Sequence, residues 1–353
     1  MQGGQTVSAR STCSRAAMRE GGIAYTFRGS EFGMCAHRHI ASLRGMVEAA
    51  VDAKTRKMFD AGNAGEAIAK KLLQDLAAKD PRLVVEEYAT GWQNQTSVKV
   101  EERRRHADGI DREVRLICSP DGRLASSAPG VELADVFAKA GWLKGSMISM
   151  PPAMGKSETS ARDGRPLLPR RWSLEVKCYG KTSLDKFEKK GAASNQTLEW
   201  QTSGVSAGYE DFFKEPVGVV VLALYREELK DEDGNFVGFK VDPEQVPAVW
   251  VYDRPRYTKD ECLARCWDVV NAYEAHEWVK CDNTYFCRYP HKPTPVIDVV
   301  AEAMLESLDK TWKAFQNALR DAEGLFVGAK NGDLVGGYHY CRQLLSVPMV
   351  KPA

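Results

Sequence analysis

Residues 172 to 177, Trp-Ser-Leu-Glu-Val-Lys, put a carboxylate and an ammonium two residues apart. Trp172, Leu174 and Val176 alternate with Ser173, Glu175 and Lys177, so an extended backbone sends Glu175 and Lys177 to one side and the apolar set to the other. Two chemistries fit this pattern. One is a solvated strand edge with a weak ion pair. The other is half of a site that hydrolyses a phosphodiester with a divalent metal. Such a site holds Mg2+ or Mn2+ by carboxylate oxygens and uses a cation to orient water and offset charge in the transition state. Glu175 is then a metal ligand, the Val176 carbonyl a further one, and Lys177 the catalytic cation.

A metal site needs more oxygen donors. The segment "REVRLICSPDGRL" supplies Asp121 at a turn after an alternating strand (Val114, Leu116, Cys118), from where a side chain can reach the edge of a neighbouring strand. Pro-Asp-Gly is also an ordinary turn sequence. Asp108 and Asp111 in "HADGID" compete for the same role, and the local pattern favours Asp121. Glu66 lies within a helical stretch behind Gly62 and Gly65, which permit close approach to other backbone. Gln201 shares a helix face with Val205 and Tyr209 at four-residue spacing, placed to reach a phosphate or a metal-bound water from the inner side.

These residues require a frame. Residues 28–50 predict a helical stretch with Ser30 as its N-cap, and a second helix runs from about Asn63 to Lys79, where Asp80-Pro81 stops it. "RLVVEEYATGW", "TSVKVEE" and "REVRLICSPDGRL" alternate with a two-residue period and predict an antiparallel strand set. Residues 125–170 lose that pattern, apart from a short helix near Glu132 to Ala140, and read as an insertion or mobile loop. Beyond the Glu175 strand come a helix over Ser194 to Phe213, an apolar central strand in "PVGVVVLALYREEL", and strands at "GFKV" and "AVWVYD". Helices then follow at "TKDECLARCWDVVNAYEAHEW" and from Pro295 to about Ala322. The fold class expected is α/β, a mixed central sheet flanked by helices. A doubly wound dinucleotide fold is excluded by the lack of a Gly-rich strand-to-helix turn.

The 353 residues divide into a flexible N-terminal lead over 1–22, a single domain over 23–323 with the insertion at about 125–170, and a C-terminal tail over 324–353. Hydrophobic content of 43% with 27% charged residues is that of a globular protein with no membrane span. The polar, Ser/Gly-rich start has no apolar core of a signal peptide, which places the expected location in a cytoplasm. With 49 basic against 48 acidic residues, net charge gives no argument for or against a nucleic-acid partner, and any DNA contact must come from local patches. "ERRRH" (102–106), "PRRW" (169–172) and "KFEKKG" (186–191) are such patches, and Trp92, Trp142, Tyr179 and Phe187 are aromatic candidates for stacking on unpaired bases or for core packing.

The ordered set of Glu66, Asp121 in "PDG", Glu175-Val-Lys177 and Gln201 before an apolar strand resembles the PD-(D/E)XK nuclease superfamily, in particular its RecB-like and phage-type exonuclease branch. The opening "SEFGMCAHRHIASLRG" is similar to the start of phage and CRISPR-adaptation nucleases of that branch, and the likeness extends from Ser30 to about His291. The resemblance implies a restriction-endonuclease-like αβββαβ core, with Glu66, Asp121, Glu175 and Val176 at the metal. It implies Lys177 as the catalytic cation and Gln201 as a DNA-contacting support. The expected activity is Mg2+- or Mn2+-dependent exonuclease action on single- or double-stranded DNA ends, in phage recombination or repair, with a recombination protein as a further partner. A structure-specific endonuclease on the same fold and a non-catalytic DNA-end-binding module are the alternatives.

Nine cysteines in a chain without a signal peptide indicate reduced thiols rather than a disulfide framework. Some relatives of the family close the domain with a four-cysteine iron-sulfur cluster. Cys35 matches its N-terminal position, and Cys281 with Cys287 match its terminal pair, although Trp278 stands where a third cysteine is expected. Cys266, on one helix face with Cys262, would supply the missing thiolate or else belongs to the core. Spacing does not separate a [4Fe-4S] cluster from Zn2+, for which His291 is another ligand candidate. A zinc-stapled interaction protein rests on these cysteines alone.

Overall fold

The structure, a computed structural model, describes residues 14–19, 22–33, 35–43, 53–88, 97–128, 132–147, 169–275 and 277. The expectations for most of the N-terminal lead, for Trp92, for Trp278, Cys281, Cys287 and His291, for the helix beginning at Pro295 and for the C-terminal tail lie outside them. In chain order the elements are β1 (Ser14–Arg19), β2 (Gly22–Arg28), α1 (Gly29–Phe32), α2 (Ala36–Leu43), α3 (Ala53–Lys79), β3 (Leu83–Tyr88), β4 (Val98–Arg105), β5 (Asp111–Cys118) and β6 (Gly122–Ser126). They continue with α4 (Leu133–Lys139), β7 (Leu143–Met147), β8 (Arg171–Tyr179), α5 (Lys181–Lys190), a 3-10 turn (Gly191–Ser194), α6 (Gln196–Phe213), β9 (Val217–Lys230), β10 (Phe236–Val241), β11 (Ala248–Tyr252) and α7 (Lys259–Glu274).

The chain groups into two compact units, one made of Arg28–Gly33 and Val51–Cys266, the other of the remaining residues. In the larger unit, β3, β6, β8, β9, β11 and β7 lie side by side in that order, with β10 paired to β9. β8 runs parallel to β9 and β11 parallel to β7, while β3–β6, β6–β8 and β9–β11 are antiparallel. This is a mixed sheet flanked by helices. Even-numbered β8 residues Trp172, Leu174 and Val176 join Leu73 and Leu76 of α3, Phe137 of α4, and Val220 and Leu222 of β9 in one buried cluster. On the opposite face Val219, Val221 and Ala223 of β9 pack with Phe187 of α5 and Leu198 of α6. Two-residue alternation along β8 and β9 therefore feeds two cores, which is why β9 reads as a continuous apolar run.

Four expectations are corrected. β4 and β5 pair with each other from Val98↔Cys118 to Arg105↔Asp111, whereas β3 pairs with β6, so the hairpin leaves the main sheet. It packs instead on α6, where a Cβ at Gly208 would lie 2.6 Å from Val98 and one at Gly204 3.0 Å from Leu116. Part of the expected insertion is ordered structure: α4 packs into the first core, and β7 forms the last strand of the sheet, with Gly145 against the Trp250 ring. α3 starts ten residues before the expected Asn63, because its first turns are good helix formers without an apolar stripe. Finally, Ser30 lies inside α1, whose N-cap is Arg28 with no side-chain capping bond. The expected helical stretch breaks at Gly33, where a Cβ would stand 2.2 Å from the Thr197 carbonyl oxygen.

The smaller unit contains the β1–β2 hairpin, registered from Ser14↔Phe27 to Arg19↔Gly22, and α2. A buried hydrogen bond of 2.7 Å joins Ser14 Oγ to His39 Nδ1, and the Ser42 hydroxyl donates to the Ser14 carbonyl at 2.8 Å. Tyr25 donates to Glu274 Oε1 at 2.6 Å. No helix among the described residues is long and apolar enough to cross a membrane.

Candidate active site

The ladder between β6 and β8 begins at Gly122↔Leu174, so β8 continues from Glu175 to Tyr179 without β6 beside it. A strand edge released from its neighbour leaves backbone donors that must find other acceptors. Here the Asp121 carboxylate, one residue before β6, accepts from the Val176 N–H at 2.7 Å. Pro120 cannot donate to the ladder, and the Asp121 side chain takes over where the strand stops. The Pro-Asp-Gly sequence is therefore the start of β6 and the wall of a notch in the sheet. In an antiparallel pair the N–H and C=O of one residue share an edge, which puts the Val176 carbonyl on the Asp121 side.

Glu175 is buried at 3% exposure, and Ser173 on the same side is buried at 2%, so this face of β8 is not a solvated edge. Lys177 Nζ donates to Glu175 Oε1, which makes the two an ion pair in the notch. The same oxygen accepts from Gln201 Nε2 at 2.6 Å. Gln201 reaches it from α6, whose residues from Gln201 through Tyr209 are all buried between the sheet and the β4–β5 hairpin. Asn195 starts that helix by accepting from the Thr197 N–H at 3.0 Å, which sets the phase that turns Gln201 inward.

Glu66 lies on α3, and its neighbour Gly65 provides the close approach: a Cβ there would stand 2.0 Å from Cys178 Sγ of β8. Gly62 has open space around it and plays no such part. Burial and then the charge of Glu175 push the Glu66 carboxyl above its ordinary value, with Lys177 opposing. Asp121 is pushed well above its ordinary value by burial first, and by Glu175 and Glu66, against the pull of Lys177 and the Val176 N–H. Burial alone would lower the Lys177 ammonium, but Glu175 and Asp121 outweigh it, and the net shift is upward. Glu66, Asp121, Glu175 and Lys177 thus share one electrostatic neighbourhood.

Among the described residues no three His, Cys, Asp or Glu side chains together stand in metal-coordinating geometry. The donor set nevertheless suits a hard divalent cation: carboxylate and carbonyl oxygens, and two carboxyls whose ionisation burial and the neighbouring carboxylates oppose.

Other candidates lie elsewhere. Asp108 closes the β4–β5 turn, accepting from the Ile110 N–H at 2.9 Å and from Arg112 Nη2 at 2.6 Å, and Asp111 pairs with Arg103 at 3.3 Å. Arg104 pairs with Glu102 and Arg171 with Glu86 and Glu215, so two of the basic patches carry their own counter-charge. Lys186, Lys189 and Lys190 on α5 are exposed directly after β8. Trp142 stacks on Phe137 and Tyr179 lies tilted against Phe187, all four placed in or against the two cores. Cys262 and Cys266 are buried in the larger unit, as is Cys118, and burial pushes each thiol up. Cys35 is buried in the smaller unit. Sequence reasoning offered the Tyr179 ring for base stacking or core packing and gave its hydroxyl no role, although it stands two residues beyond Lys177 on the same side of β8. No family model, no curated protein and no solved structure matches this chain.

Proposed function

We propose that this chain is a metal-dependent deoxyribonuclease of PD-(D/E)XK type that hydrolyses phosphodiester bonds at DNA ends, with Mg2+ or Mn2+ as cofactor. One observation carries the reading: Glu175 receives both Lys177 and Gln201 on one oxygen, beside Asp121 on the Val176 N–H and within the field of Glu66. The order α3, β3, β6, β8, α6, β9 supports it, because it runs helix, three strands, helix, strand, with β8 and β9 parallel across the α6 connection.

A divalent ion held by Glu66, Asp121, Glu175 and the Val176 carbonyl would polarise a phosphoryl oxygen and acidify a water. Lys177, held beside Glu175, would donate hydrogen bonds to the substrate phosphate and offset charge at the phosphorus. Gln201 fixes the Glu175 carboxylate so that one oxygen faces α6. The exposed lysines of α5 supply the local positive charge that the whole chain lacks.

The test uses the full chain with linear and covalently closed circular DNA in Mg2+, Mn2+ or EDTA. Nucleotide release from linear DNA alone is expected, abolished by EDTA. Nicking or linearisation of closed circles moves the assignment to an endonuclease. Glu175→Gln and Lys177→Met should fold and lose about 100-fold or more in rate. Undiminished hydrolysis by either one refutes the site.

A further inference from the structure

Tyr179 follows Glu175 and Lys177 at two-residue spacing on β8, so the three side chains leave the strand on one side. Its ring is held: it lies 5.7 Å from Phe187 of α5 at a 43° tilt, against the core cluster of Val219, Val221 and Ala223. Its hydroxyl is shielded from solvent and has no hydrogen-bond partner among the described residues. Tyr252, on the same face of the sheet, differs in this respect, since its hydroxyl accepts from the Ala192 N–H at 2.6 Å. A buried phenol normally finds a partner, and an orphan beside a reactive cluster calls for a ligand to complete it. The electrostatic neighbours of that hydroxyl are Lys177, Glu175 and Cys178.

We propose that the Tyr179 hydroxyl donates a hydrogen bond to a non-bridging oxygen of the substrate phosphate bound at Lys177. The inference rests on the nuclease reading of the site and adds to it a residue that contacts the substrate. The geometry favours a phosphate oxygen as the acceptor. The group that Lys177 attracts must be anionic, and the phenol has one proton to give and sits beside that cation. The fixed ring makes the donor ready before substrate arrives, so its contribution falls on the transition state rather than on ordering the side chain.

The experiment compares wild type, Tyr179→Phe and Tyr252→Phe on linear DNA and on DNA with single stereodefined phosphorothioates at the cleaved linkage. Tyr179→Phe removes one oxygen that no protein group uses, so its melting temperature should match or exceed wild type. Its kcat should fall about 100-fold with KM little changed. Sulfur accepts hydrogen bonds poorly, so the loss should shrink on the one phosphorothioate isomer whose sulfur replaces the contacted oxygen. Tyr252→Phe should lose stability and keep its rate. A Tyr179→Phe enzyme with wild-type kcat on both substrates overturns the proposal while leaving the site reading intact. Wild type that cleaves no DNA overturns the site reading instead. In that event calorimetric titration with thymidine 5′-monophosphate and Ca2+ decides the matter: weaker binding by Tyr179→Phe sustains the contact, and equal binding overturns it.

Discussion

Asp121 acts both as a hydrogen-bond acceptor and as a charge, and replacing it by Asn or by Ala separates the two. Asn retains an oxygen that can accept from the Val176 N–H, a bond of 2.7 Å here. Ala removes it. Val176 is 5% exposed, and the β6 ladder has already ended at Leu174, so the abandoned N–H has no strand acceptor. Orphaning a buried N–H costs about 1–3 kcal/mol, so the Ala variant should melt below the Asn variant by about 2–12 °C. Charge acts in the other direction. Because burial, Glu175 and Glu66 raise the Asp121 carboxyl in the folded chain, the native state holds a proton that the unfolded chain releases near pH 4. Its contribution to stability is therefore greatest below that pH, falls as pH rises through the folded value, and becomes a standing cost above it. In EDTA the Asn variant should match wild type near pH 4 and melt above it at pH 8. Differential scanning calorimetry of the three proteins across this range tests both parts. If Asn melts together with Ala, the hydrogen-bond argument is wrong. If the gap between Asn and wild type does not widen with pH, the charge argument is wrong.

Two more substitutions test the supports of the site. Gln201→Leu removes a buried charge-assisted bond of 2.6 Å to Glu175, and should cost about 1.5–3 kcal/mol by chemical denaturation, along with most of the hydrolysis rate. Gly65→Ala places a methyl 2.0 Å from Cys178 Sγ, so α3 or β8 must give way; overpacking of about 1–3 kcal/mol should exceed the helix-propensity gain of about 1 kcal/mol. A melting temperature equal to or above wild type would refute a close α3–β8 approach at Gly65.

The main sheet was largely legible because period-two alternation along β8 and β9 marks strands whatever they pair with. Pairing was not. The sequence from β3 to β6 alternates throughout, and nothing local tells a strand that its neighbour in the chain will leave for another layer. The answer lies in α6, where Gly204 and Gly208 make room for Leu116 and Val98, a contact between segments some hundred residues apart. The same limit hid β7, a five-residue strand whose Gly145 reads as loop until the Trp250 ring is seen against it. It also misplaced the break at Gly33, which answers to Thr197 rather than to its own neighbours.

At the site, residue types were legible and relations were not. Alternation alone put Glu175 and Lys177 on one side of a strand, but gave equal weight to a solvated ion pair, and the ion pair is present. What separates the two readings is burial, because a surface pair loses little when broken, whereas a buried carboxylate deprived of its cation faces the full cost of desolvation. Glu175 at 3% exposure belongs to the second class, and the fold has surrounded it with Lys177 and Gln201 and set Glu66 and Asp121 within its field. A chain selected for stability alone would replace such a cluster with apolar residues of similar volume. That it keeps Glu66, Asp121 and Glu175 in one field with Lys177, at the point where β8 outruns β6, is the physical argument behind the proposal that this notch receives a cation and the anion that comes with it.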